Sequence, residues 1–92
     1  MRFRATVRVM LKPGIADPQG HTIERALPAL GYAGVSDVRV GKMIELCLEA
    51  PDAADARDRV VEMSERFLSN PVIETFDVAI EADRDILVTP TG

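Results

Sequence analysis

The side chains that most often perform nucleophilic catalysis are scarce in this chain. His21 is its single histidine and Cys47 its single cysteine. A nucleophilic enzyme needs its nucleophile beside a base that a third group orients. The pattern places His21 in the first turn of a helix and Cys47 within a strand, so we interpret His21 as a solvated side chain and Cys47 as a small buried one. Catalysis by this chain alone is not favoured.

Metal and phosphate sites are not indicated either. Structural zinc needs four Cys or His ligands, and no glycine-rich phosphate motif or calcium loop occurs. The segment of most chemical interest is 14–20, a glycine-flanked loop that leads into a helix N-terminus, where free amides could bind an anion. A structural explanation, with Asp17 as the helix cap and Pro18 as the first helical residue, accounts for the same residues and is preferred. We expect no metal or cofactor to be bound by this chain.

The composition predicts one small soluble domain. The chain has 92 residues, of which 47% are hydrophobic and 28% charged, so its core will be small. The net charge of −4 argues against nucleic-acid binding, which relies on Lys and Arg. We find no apolar run of the roughly 18 residues that a membrane span needs, and no signal-peptide pattern. We therefore expect a cytoplasmic protein without membrane contact.

The charges are unevenly distributed along the sequence. Residues 1–44 carry seven basic and three acidic side chains, whereas residues 45–92 carry four basic and twelve acidic ones. The two halves should attract each other, within one chain or between chains. Whether this asymmetry marks an interface or arises by chance is open at this point.

The first half predicts a strand and a helix. Residues 3–11 alternate between apolar and mainly basic side chains, as expected of a strand with one wet face. The helix should begin after Asp17 and carry an apolar stripe at residues 23, 26, 27 and 30. Pro28 should kink it or loosen its last turn, and Gly31 is a plausible residue for its end.

Residues 35–49 keep their apolar side chains at even positions, although Gly41 and Lys42 interrupt the run. A tight hairpin at these two residues would break the facing pattern, whereas one long strand bent at Gly41 would keep it. We prefer the bent strand, which would be too long for so small a domain and would reach a second chain.

The second half predicts a helix and a final strand. Asp52 should cap the helix, whose apolar stripe is expected at residues 53, 56, 60, 63 and 67, with Asp55–Arg59 and Glu62–Arg66 as ion pairs on the wet side. Residues 72–81 alternate again, with Val72, Phe76, Val78 and Ile80 on the apolar face.

These elements predict an α+β fold of ferredoxin-like order, strand-helix-strand-helix-strand, with two helices on one face of an antiparallel sheet. We expect one domain over residues 1–82 and a C-terminal tail over 83–92. The other face of the sheet would carry charged side chains that can pair across strands, or that are simply solvated: Arg2, Arg4, Arg8, Asp37, Arg39, Glu45 and Glu49.

Five short blocks occur in an order that resembles the PurS family, and they lie within residues 3–81. They are Lys12-Pro13-Gly14-Ile15, Asp17-Pro18-Gln19-Gly20, Ala26-Leu27 with Leu30-Gly31, Val38-Arg39-Val40-Gly41-Lys42, and Asn70-Pro71-Val72-Ile73-Glu74. Each block alone is weakly specific, but the five together are fairly specific. Pro28 and the extended tail depart from the family pattern.

The resemblance implies a non-catalytic accessory subunit of phosphoribosylformylglycinamidine synthase, a ligase of purine biosynthesis. Such subunits form dimers or tetramers and bridge a glutaminase subunit and an ATP-dependent synthetase subunit, supporting ammonia transfer between them. ATP and magnesium would be used by the complex and not bound by this chain. The matching blocks supply candidate contact or loop-shaping residues: Asp17, Gln19, Gly20, Arg39, Lys42, Asn70 and Glu74.

A second hypothesis has a different functional class. A small-ligand sensor of the ACT type shares the arrangement of two helices on an antiparallel sheet. Only the topology favours this alternative, and topology alone does not define a function.

Overall fold

The computed structural model describes residues 1–83 and has the predicted α+β architecture. Residues 84–92, which make up most of the predicted tail, lie outside the described part of the chain. The elements are β1 (Arg2–Leu11), α1 (Pro18–Ala26), a 3-10 turn (Pro28–Leu30), β2 (Lys42–Glu49), α2 (Ala53–Met63), a π-helical turn (Ser64–Leu68) and β3 (Glu74–Ala82). The predicted order of strands and helices is therefore confirmed.

The three described strands form one antiparallel sheet in the order β2-β1-β3. The central strand β1 pairs along both of its edges, so that Val7 lies opposite Ile44 of β2 and Val78 of β3. The alternation predicted for β1 is confirmed, because Ala5, Val7 and Val9 are almost completely buried. These side chains form the centre of the core.

Helix α2 covers this apolar face. Asp52 caps it as predicted, since its Oδ1 accepts a hydrogen bond of 2.8 Å from the backbone N–H of Asp55. Ala56 and Val60 are both fully buried, Val60 in the main cluster and Ala56 in a smaller one with Phe3 and Ala50. The hydrophobic core is thus a single layer between α2 and the sheet.

The predicted stripe of α2 is wrong at its C-terminal end. Phe67 is 86% exposed and Met63 is also exposed, whereas Ser64 is fully buried and Leu68 packs against the core. The π-helical turn is the cause, because its i→i+5 hydrogen bonds accommodate one extra residue and rotate the following side chains. The Ser64 hydroxyl donates to the Val60 carbonyl at 2.7 Å, and the Ser69 amide donates to the Ser64 carbonyl at 2.9 Å.

Helix α1 starts and ends as the sequence predicts. Asp17 is its cap, and Pro28 limits the α-helix to Pro18–Ala26 and begins the 3-10 turn. Gly31 closes the segment with φ of 97°, a left-handed conformation that glycine adopts readily. The apolar stripe of this helix remains largely uncovered, since Ile23 is 43% exposed and Leu30 is 70% exposed.

Neither prediction for residues 35–49 is right about backbone pairing. Strand β2 begins only at Lys42, and residues 35–41 belong neither to a bent strand nor to a hairpin. The predicted facing pattern nevertheless holds, because Val38 and Val40 are half-buried and Arg39 is exposed. The amides of the two valines are bonded to side chains of α1 rather than to a neighbouring strand.

Strand β3 starts two residues later than predicted. Val72 is 77% exposed and lies in the turn before β3. This turn is stabilised by Asn70, whose carbonyl accepts hydrogen bonds from the amides of Ile73 and Glu74. The core-facing positions predicted for Phe76, Val78 and Ile80 are confirmed.

The second face of the sheet brings the basic and acidic halves of the chain together. Arg2 and Arg4 of β1 pair with Asp83, at 3.2 and 3.7 Å respectively. Cys47 lies opposite Arg4 on this exposed face, so its prediction as a buried residue is wrong. Asp37 and Arg39 were expected here as well, but they lie outside the sheet.

We expect a contrast in stability between Phe67→Ala and Val60→Ala. Phe67 makes little buried contact, so its truncation should change the free energy of unfolding by less than about 0.5 kcal/mol. Val60→Ala removes two fully buried methyl groups and should cost about 2 kcal/mol. Urea denaturation of both variants at equal concentration measures the contrast, and a larger loss for Phe67→Ala would contradict the described helix phase.

Candidate functional site

The candidate residues gather where β1 ends and where α1, β2 and β3 begin. An open depression of about 320 Å³ lies at this junction, and four of the seven candidates line it: Asp17, Gln19, Lys42 and Glu74. Its other walls are mainly apolar and come from Val9, Leu11, Pro18, Val40 and Gly41. The sequence blocks that are distant along the chain are therefore neighbours in space.

Asp17 connects α1 to the segment 37–41. Its Oδ1 accepts a hydrogen bond of 2.9 Å from the Gly20 amide, which is the predicted cap. Its Oδ2 accepts a second hydrogen bond of 2.8 Å from the Val40 amide. These two bonds, with a smaller contribution from the charge of Arg39, lower the pKa of Asp17 below its ordinary value.

Glu24, which is not among the seven candidate residues, also connects α1 to the segment 37–41. Its Oε1 accepts a hydrogen bond of 3.0 Å from the Val38 amide. Glu24 follows Asp17 by seven residues, about two helical turns, so both carboxylates lie on the same face of α1. That spacing was visible in the sequence, but its significance depends on the position of residues 37–41.

Gly20 allows the helix and the segment to approach each other closely. It is the buried residue of α1, and a Cβ atom built on it would lie 2.4 Å from the Val38 carbonyl oxygen. Any larger side chain would push the segment away from the helix. Gly20 therefore permits the close approach of α1 and residues 37–41.

Arg39 and Lys42 occupy the exposed side of the same region. The Arg39 guanidinium donates to the Leu11 carbonyl at the end of β1, while Lys42 opens β2. Gln19 is exposed at the start of α1. Lys42 is exposed as well.

Asn70 and Glu74 use their side chains within one turn. The Glu74 carboxylate accepts a hydrogen bond of 2.6 Å from the backbone N–H of Asn70. The side-chain Oδ1 of Asn70 accepts one of 3.1 Å from the backbone N–H of Val72. The Lys12 amide donates to the Ile73 carbonyl at 2.8 Å, which fixes the turn to the end of β1. Both residues shape the loop.

A second depression of about 430 Å³ lies beside residues 37–39 and includes His21, Lys12 and Arg39 in its wall. His21 is exposed, in agreement with its interpretation as a solvated residue. Over residues 1–83, no group of three or more His, Cys, Asp and Glu side chains is placed to hold a metal ion. Neither helix in this part of the chain is long and apolar enough to cross a bilayer.

The fold and the junction define a class of protein: a small ferredoxin-like α+β domain whose distinctive residues form exposed loops at one end of the sheet. The family model for PurS, described as phosphoribosylformylglycinamidine (FGAM) synthase, matches residues 4–82. The chain belongs to the PurS family, as its sequence blocks indicated.

Individual relatives agree over most of their length. The phosphoribosylformylglycinamidine synthase subunit PurS of Synechocystis is 44% identical over 80 residues, which cover 87% of this chain and 80% of that protein. The subunit of the same name from Methanocaldococcus jannaschii is 38% identical over 79 residues, covering 86% of this chain and 95% of that one.

Solved structures give the same result. The PurS subunit of Thermotoga maritima has a TM-score of 0.81 at 33% identity, covering 88% of this chain and 93% of that chain. A chain in the structure of PurLQS from the same organism has a TM-score of 0.80 at 33% identity, with coverage of 88% and 99%. The similarity therefore includes a chain from the structure of a larger complex.

The lowered pKa of Asp17 predicts an acid-dependent loss of stability. As a carboxylate, Asp17 should stabilise the fold above about pH 4, the ordinary range of an aspartate. This contribution should disappear as the pH falls through the lower pKa of the folded state. Urea denaturation of wild type and Asp17→Ala at several pH values between about 7 and 2.5 measures the difference, which should shrink only in acid. A difference that stays constant to the lowest pH would contradict the assignment.

Proposed function

We propose that this chain is the non-catalytic accessory subunit of a phosphoribosylformylglycinamidine synthase complex in purine biosynthesis. It bridges a glutaminase subunit and an ATP-dependent synthetase subunit and supports the transfer of ammonia between them. The observation that carries this proposal is the family match over residues 4–82, together with relatives of the same subunit name at 36–44% identity. An ACT-like ligand sensor is not proposed, because only the topology favoured it.

The geometry of the junction fits a scaffold. Asp17, Gly20, Asn70 and Glu74 are engaged with the chain's own backbone. Gln19 and Lys42 present exposed polar groups beside an open apolar depression. Such a combination of fixed loops and free polar groups is suited to contact with a protein surface.

The chemistry of the complex is assigned to its partners. ATP and magnesium act at the synthetase subunit, and glutamine is hydrolysed at the glutaminase subunit. This chain contributes position rather than reacting groups, because holding two active sites together reduces the loss of ammonia by diffusion. We place the complex in the cytoplasm.

Reconstitution tests this function directly. The chain alone should neither hydrolyse glutamine nor consume ATP, but it should restore glutamine-dependent amidine formation when added to its two partners. Ammonia at high concentration should bypass much of the requirement. Arg39→Glu and Lys42→Glu should weaken complex formation by at least about tenfold, because reversed charges oppose like charges at an interface. The core should stay folded in both variants, although Arg39→Glu also removes the bond to the Leu11 carbonyl, so Lys42→Glu is the cleaner test of charge.

Arg66→Glu provides the matched control for these variants. It makes the same charge reversal in the π-helical turn that follows α2, away from the junction, where Arg66 forms an exposed ion pair with Glu62. Its effect on the reconstituted rate should be small. Full glutamine-dependent activity without this chain, or turnover of either substrate by the chain alone, would exclude the scaffold function.

We also propose that the chain assembles with copies of itself as a dimer or tetramer. The apolar side chains of Ile23, Leu30, Tyr32 and Val35 are each between 38% and 70% exposed. Strand β2 pairs only with β1, so its second edge carries free backbone groups among the described residues. Exposed apolar side chains and an open strand edge are each suited to contact with a second copy.

Light scattering after gel filtration tests the assembly. We expect a dimer or larger species at micromolar concentration. Leu30→Asp should raise the dissociation constant of this self-association at least about tenfold, because the new carboxylate would be buried in the interface. Val72→Asp is the matched control, since Val72 is equally exposed but lies in the turn before β3. A wild-type monomer of 10.1 kDa would contradict the proposal.

A further inference from the structure

Helix α1 supplies the hydrogen-bond acceptors that a neighbouring strand would supply to the segment 37–41. The Val40 amide bonds to Asp17 and the Val38 amide bonds to Glu24. In an extended chain, alternate residues direct their backbone groups to the same side, about 6.6 Å apart. The two amides therefore face the helix together, and the two carboxylates meet them in antiparallel order.

The docking face of α1 is thus polar rather than apolar. It consists of Asp17, Gly20 and Glu24, which follow one another at helical spacings of three and four residues. Gly20 brings the helix backbone next to the Val38 carbonyl. Ile23 of the apolar stripe stays 43% exposed and shares only an open depression with Val40, so the hydrogen bonds to the two carboxylates are the specific contacts between helix and segment.

The segment has two further anchors, both at the end of β1. Arg39 donates to the Leu11 carbonyl. Gly41 fits against β1 so closely that a Cβ atom on it would lie 2.5 Å from the Val9 carbonyl oxygen. The amides of Val38 and Val40 reach α1 through the two carboxylates.

We propose that Asp17 and Glu24 are positioning residues. Their carboxylates hold residues 38–40 in one conformation and thereby fix Arg39 and Lys42 for contact with a partner subunit. The second half of this proposal rests on the proposed function. The first half concerns the chain alone and is tested separately.

Asp17 and Glu24 differ in how many carboxylate oxygens accept hydrogen bonds, and this difference determines which substitution removes each bond. Both oxygens of Asp17 accept hydrogen bonds, so Asp17→Asn can keep the helix cap, for which Asn is equally suited, but cannot also accept from Val40. Glu24 uses a single oxygen, so Glu24→Gln should keep its bond and Glu24→Ala should lose it. Asp58→Asn on the exposed side of α2 controls for the loss of one negative charge.

Amide hydrogen exchange by NMR measures the order of the segment. Exchange at Val38 and Val40 should be at least about tenfold faster in Asp17→Asn and Glu24→Ala, because each variant loses a hydrogen bond to a charged group. Exchange at Val7 in the core should not change. Glu24→Gln and Asp58→Asn should behave as wild type.

Titration into the reconstituted complex measures the consequence for contact. The concentration of chain that gives half-maximal glutamine-dependent activity should rise about tenfold for Asp17→Asn and Glu24→Ala, in proportion to the lost order. The maximal rate at saturation should be unchanged. Glu24→Gln should restore the wild-type concentration, which a role of the negative charge itself would not allow.

Two results would overturn the proposal. Unchanged exchange at Val38 and Val40 in Asp17→Asn and Glu24→Ala would show that the carboxylates do not hold the segment. Faster exchange with an unchanged half-maximal concentration would show that the order of the segment is not needed for contact. Failure of the wild-type chain to support the reaction would contradict the proposed function, and with it the second half of this proposal, whereas the exchange data would still decide the first half.

Discussion

The pairing of β1 along both edges is the constraint on which the rest of the structure depends. A central strand with one fully buried face needs a partner on each side and a cover over that face, because its backbone groups and its apolar side chains must both leave water. Strands β2 and β3 provide the partners and α2 provides the cover. In a chain of 92 residues, this leaves little apolar surface for burying α1, whose stripe remains exposed. The same shortage of core explains why assembly with a second copy is an attractive means of covering it.

The sequence predicted the orientation of side chains better than it predicted the pairing of the backbone. Period-two alternation reports which side chains share a face, and Val38 and Val40 indeed share one. Alternation does not report which acceptors the amides find. Carboxylates of α1 can satisfy the amides of residues 37–41 as well as a strand can, so an extended segment outside the sheet leaves the same sequence pattern as a strand within it.

Helix α2 illustrates a different limit. Its cap, its start and its first two buried turns followed from Asp52, Ala56 and Val60, because an ordinary helical period relates them. The π-helical turn changes that period by a single residue, and every later position shifts. The local bonds made by Ser64 and Ser69 stabilise this turn, but serines at such a spacing also occur in ordinary helices and loops. Phe67 was therefore assigned to the wrong face.

The candidate site was predictable as a set of residues but not as a set of roles. Its blocks meet because β1 ends beside the starts of α1, β2 and β3, and two contacts fix the neighbouring loops to that end: Arg39 to the Leu11 carbonyl and the Lys12 amide to the Ile73 carbonyl. Some glycines allow close approach of the backbone, and some carboxylates accept hydrogen bonds from backbone amides. In a sequence, neither kind of residue can be distinguished from residues that contact a partner. Only the positions of the amides separate Asp17, which bonds to its own chain, from Gln19, which faces solvent. In this chain, most of the candidate side chains bond to backbone groups of their own loops. Because those loops are joined at the end of β1, a substitution that loosens one of them should reduce the order of the neighbouring loops more than that of the core.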